Sequence, residues 1–147
     1  MKKKIILWLL VISWMGLIFY FSSKNSEEST NQSQGLINKT NIVELYKEKE
    51  NDEEPLETVD RVFRKIAHAF EYSVLAVLVC LALKEYNISI KVLLLLAILI
   101  CFVYSCTDEL HQLYVPGRSG EIRDVFIDNI GAAVGYLSFV LVRRRKS

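Results

Sequence analysis

Apolar residues in this chain are gathered into four blocks, near 5–21, 66–83, 90–106 and 125–142, and most charges lie between them. That segregation restricts the fold more than any other feature. In lipid a backbone must satisfy its own hydrogen bonds, so apolar runs of this length span as helices. A composition of 52% hydrophobic and 24% charged residues would suit a globular domain, and only its distribution argues otherwise. The expected fold is an all-α integral membrane protein with four transmembrane helices, forming one domain over residues 1–147. A net charge of +1 gives no bulk basic field, and nucleic acid is not an expected partner.

Lys2, Lys3 and Lys4 precede the first block. A basic start and an apolar run resemble a secretory signal, but the run ends in bulky aromatics and serines without a small-x-small site, so an uncleaved span is expected. At about 25 Å as a helix it is slightly short for a ~30 Å hydrocarbon core. Trp8 and Trp14 read as interfacial anchors. Residues 22–65 read as a polar loop, with a short amphipathic helix near 36–46 and a charge run over 47–54. Cys80, Cys101 and Cys106 are odd in number and lack metal-ligand spacing, so they read as small buried hydrophobes.

The unusual residues sit at the edges of the later blocks. Arg61, Arg64 or Lys65, His68, and Glu71 or Tyr72 recur at three- and four-residue steps, which stacks them on one face of a helix beginning near Glu57. Asp108, His111 and Gln112 share a face of the third helix, which should run to about Tyr114 before Pro116 and Gly117 stop it. Asp124, Asp128, Gly131 and Gly135 share a face of the fourth, and the two glycines permit close helix approach. Tyr72 and Tyr114 read as interfacial anchors.

Basic residues at both termini, Lys2–Lys4 and Arg143, Arg144, Arg145 and Lys146, place both ends in the cytoplasm by the positive-inside rule. Four spans then bring Ser22, Ser23, His68, Glu71, Asp108, His111, Asp124, Asp128 and Asn129 to the outer interface together. Polar groups at that depth need a reason. One reading is structural, with Arg64, Arg118 and Arg123 neutralising Glu71, Asp108 and Asp128. A second is recognition, in which Arg64, Arg118 and Arg123 hold an anionic headgroup beside Gln112, Asp124, Asp128 and Asn129. A third is catalysis, with His111 a general base oriented by Asp108, or with His68, Glu71, Asp108 and His111 as metal ligands. No lipase-type serine elbow, zinc-protease helix motif or phosphate-cradling loop is present, and no cofactor is named by the sequence.

The order Phe21-Ser22-Ser23, then Arg64-Lys65-x-x-His68-x-x-Glu71-Tyr72, then Asp108-Glu109-x-His111-Gln112-x-x-x-Pro116-Gly117-Arg118, then Asp124-x-x-x-Asp128-Asn129-x-Gly131-x-x-x-Gly135, resembles the VanZ-like family of bacterial membrane proteins. The resemblance covers nearly the whole chain apart from an insert around 38–54. It implies a multi-pass protein of the cell membrane and, from the named member, lowered susceptibility to teicoplanin, an acyl-tailed glycopeptide. The partners it implies are the bilayer and an amphiphile such as a lipoglycopeptide or a lipid-linked cell-wall precursor. The alternative activity is a membrane-embedded hydrolase or transferase acting on such a substrate. Oligomeric state stays open.

Overall fold

The computed structural model describes residues 1–24, 55–116 and 120–145. The amphipathic helix expected near 36–46, the charge run, Gly117 and Arg118 lie outside the described residues. Four long helices follow one another: α1 (Lys2–Ser22), α2 (Pro55–Lys84), α3 (Ile90–Gln112) and α4 (Ile122–Arg145). All four are long and apolar enough to cross a membrane. With 21 residues, α1 reaches about 31 Å. It exceeds the 25 Å expected because the helix takes in Lys2–Lys4, whose long stems can carry their charge past the apolar region.

Local sequence explains the helix ends. Pro55 opens α2, where a missing N–H costs nothing. Asn87 takes φ 54° in the turn after α2, a conformation asparagine tolerates well. Ser89 then caps α3, its hydroxyl accepting from the Val92 N–H at 3.4 Å. The first turn of α4 carries Asp124 and its last turn Arg143, Arg144 and Arg145, each complementing the helix dipole.

Of the four, α2 is the most enclosed and α1 the least. The tightest seam joins α2 and α4. Gly131 lies against the carbonyl of Ala69 and Gly135 against that of Ser73, so that a Cβ at either position would collide with backbone. Partners advance by four residues on both helices, so α2 and α4 run parallel. The outer face of α4 is the reverse of a soluble helix: Phe126, Ile130, Val134, Leu137 and Leu141 are exposed, while Gly131, Ala132 and Gly135 are buried. Small residues inside and large apolar ones outside suit packing in lipid, where helices gain from close backbone contact.

The other seams are tied by aromatic donors to helix carbonyls. Trp14 Nε1 donates to Glu71 O at 2.9 Å, Tyr104 Oη to Met15 O at 2.5 Å, and Tyr136 Oη to Ala97 O at 3.0 Å. Trp14 is therefore an inward clip between α1 and α2 rather than an interfacial anchor. Cys80 and Cys101 are buried, as expected of small hydrophobes, and Cys106 is half-buried.

Both basic ends of the chain lie at one end of the bundle. Lys3 reaches Glu85, in the turn after α2, and α4 runs parallel to α2 towards Arg145. The opposite end gathers the unusual polar residues.

Candidate functional site

Each of the four helices contributes to the polar end. Ser22 and Ser23 close α1, and His68, Glu71 and Tyr72 lie near the middle of α2. Asp108, Glu109, His111 and Gln112 form the last turns of α3, and Asp124, Asp128 and Asn129 the first turns of α4. This is the convergence expected from the spacing of the four blocks.

Its innermost group is His68, Asp108 and Asp128, each with one donor atom within 4.8 Å of the others. Both acids are enclosed, Asp108 at 2% exposure and Asp128 at 0%. Ser22 Oγ donates to Asp108 Oδ2 at 2.8 Å. His68 Nδ1 stands 3.9 Å from Asp128 Oδ1, beyond hydrogen-bond reach. Neither carboxylate oxygen of Asp128 has a hydrogen-bond partner among the described residues, and nor does the hydroxyl of Tyr72, itself fully buried. Buried polar atoms are almost always satisfied, so two such side chains beside one histidine are informative.

A second layer surrounds that group. His111 stacks on Phe19, with ring centroids 4.2 Å apart, and its Nε2 is 3.0 Å from Ser23 Oγ. Ser23 Oγ also lies 2.6 Å from the Phe19 carbonyl, which can only accept. The single hydroxyl hydrogen therefore points at Phe19, and His111 Nε2 donates to Ser23. Glu109 Oε2 accepts the Glu121 N–H at 2.9 Å, tying the end of α3 to the start of α4. Gly120 makes this possible, since a Cβ there would sit 2.5 Å from the Glu109 carbonyl oxygen. Asn129 Nδ2 donates to Ser105 Oγ at 3.0 Å and to Val125 O at 2.7 Å, and Gln112 is buried.

Arg118, one of the three arginines expected to neutralise the acids, lies outside the described residues. Lys65 reaches across from α2, 2.5 Å from Asp124 and 3.8 Å from Glu121. Beside Asp128 stands His68. Arg64 is half-buried and Arg123 exposed. Sequence reasoning joined Asp108 to His111, but Ser22 holds Asp108 and Ser23 meets His111. Glu71 is half-buried, and neither it nor His111 belongs to the inner group among the described residues. Tyr72 was expected at an interface and is wholly enclosed, unlike the exposed Tyr114. The signal was its position four residues after His68, which puts both on one helix face.

Chemically the arrangement offers one imidazole and two enclosed carboxylates, with serines, amides and a lysine ion pair at the same end of the bundle. No curated protein and no solved structure matches the chain. A family model described as VanZ/LLP1 matches residues 7–143, from the second turn of α1 to the basic end of α4. That match takes in every side chain of the polar end, and the chain is a multi-pass membrane protein belonging to the VanZ/LLP1 family.

Proposed function

We propose that the polar end of the bundle binds the headgroup of an amphiphile in the outer leaflet, a lipoglycopeptide or a lipid-linked cell-wall precursor, and so lowers susceptibility to teicoplanin. The observation that carries this reading is the convergence of polar side chains from all four helices on one end of a bundle with apolar flanks. An acyl chain would lie along those flanks while its headgroup met the polar end. The basic termini share the opposite end, which the positive-inside rule assigns to the cytoplasm. The polar end then faces outward.

In this reading Arg123, exposed near the start of α4, makes the first headgroup contact together with Arg64 and Arg118. Gln112, Asp124, Asp128 and Asn129 frame the pocket behind them. Expression in a susceptible Gram-positive host tests the proposal. Protection should be greater against teicoplanin than against a glycopeptide without an acyl tail; equal protection, or none, contradicts it.

Hydrolysis or group transfer on the same substrate is a second reading, favoured by the 3.0 Å contact of Ser23 with His111. It requires Ser23 to turn its hydroxyl hydrogen from Phe19 to His111. His111→Ala would then abolish activity in protein that accumulates and melts normally; retained activity contradicts this reading.

A further inference from the structure

We infer that His68, Asp108 and Asp128 form a binding site for one divalent transition-metal ion, Zn²⁺ or Mn²⁺. Three helices supply one ligand each, and the donor atoms lie within 4.8 Å of one another. Ligands of a tetrahedral ion bound at about 2.0–2.2 Å sit roughly 3.4 Å apart. Side-chain adjustments of about an ångström close the set, less than a rotamer change requires.

Two independent features point to a ligand. The first is Asp128, at 0% exposure, with both carboxylate oxygens lacking a hydrogen-bond partner among the described residues. Its Oδ1 is 3.9 Å from His68 Nδ1, too far for a hydrogen bond and suited to two ligands of one ion. The second is the Tyr72 hydroxyl, fully buried one turn beyond His68 and also without a hydrogen-bond partner there. A water or ligand oxygen on the ion would give that hydroxyl a partner.

Charge favours the same occupant. Asp128 is a carboxylate at 0% exposure without a hydrogen-bond partner among the described residues, and a divalent ion would compensate its charge in a low-dielectric site. One imidazole and two carboxylates suit Zn²⁺ or Mn²⁺ better than a soft metal, since no thiol joins the group. Three protein ligands leave a further coordination position for water or an anionic group. The site stands without the headgroup reading, and its test reads metal content rather than drug protection.

The test uses full-length protein purified in detergent, stripped with chelator and titrated with Zn²⁺ or Mn²⁺ alone. One equivalent should bind saturably and raise the melting temperature. Asp128→Asn and His68→Gln should each weaken binding by at least about tenfold, the loss expected even for an outer-shell partner. Glu85→Gln, at the opposite end, and His111→Ala should leave stoichiometry unchanged. Pulsed electron paramagnetic resonance of Mn²⁺-loaded wild-type protein, which needs no variant to fold, should show one coordinated imidazole nitrogen. Absence of saturable binding, absence of that nitrogen, or undiminished affinity in a folded Asp128→Asn protein overturns the inference.

Discussion

The two ends of the bundle hold the same kinds of side chain and use them in opposite ways. At the basic end Lys3 meets Glu85 at 2.6 Å in the open, with Lys4 over the Tyr86 ring at 4.3 Å. The hydrogen bond from Lys3 holds the Glu85 carboxyl below the usual carboxylate range. At the polar end Asp128 is wholly enclosed, with a histidine 3.9 Å away and no hydrogen bond. Water solvates the first pair whether or not it forms, so little depends on it. The second is enclosed, where a carboxylate without a hydrogen-bond partner among the described residues is costly.

The largest effect should come from forcing apart the α2–α4 seam. Gly131→Val drives a branched side chain into the Ala69 carbonyl, and backbone on a packed helix cannot yield. A loss of about 3 kcal/mol or more is expected, seen as failure to accumulate in membranes. Gly16→Ala, where an added Cβ meets nothing within 4 Å, should accumulate normally.

Asp128→Asn should separate stability from function. Removing an uncompensated charge from metal-stripped protein should leave stability unchanged or raise it by up to about 2 kcal/mol. Protection against teicoplanin should fall in the same variant. A strongly lowered melting temperature would instead make Asp128 a structural partner and erase the contrast between the ends.

Smaller effects grade the comparison. Lys65→Ala breaks a half-exposed ion pair with Asp124 and should cost about 0.5–1 kcal/mol, measured by thermal unfolding. Lys3→Ala at the basic end should lower the melting temperature only slightly at neutral pH. A depressed carboxyl pKa contributes stability above its unfolded value and loses it as pH falls through the folded one. Any difference between Lys3→Ala and the parent should therefore shrink on acidification through the carboxylate range.

The four helices were legible because charges interrupt the apolar runs where the chain leaves them. Spacing within each helix also showed which residues share a face: Asp124, Asp128, Gly131 and Gly135 do line one side of α4. What spacing cannot give is the axial offset and rotation of one helix against another. Those decide that Ser22 meets Asp108, that Ser23 meets His111, and that Lys65 reaches Asp124. Tyr72 was misplaced for a related reason: its amphipathic ring suits an interface, but the α2 face it occupies is the one turned into the bundle.

The central claim, that the ends of the four helices meet in one polar site, is most directly tested by cross-linking. Ser23→Cys and His111→Cys, combined in a variant whose native Cys80, Cys101 and Cys106 are replaced by alanine, put thiols where Oγ and Nε2 lie 3.0 Å apart. Mild oxidation in membranes should protect both from a maleimide mass tag until reduction, while Ser23→Cys paired with Glu85→Cys stays fully labelled. Free, tagged thiols at 23 and 111 after oxidation would contradict the account.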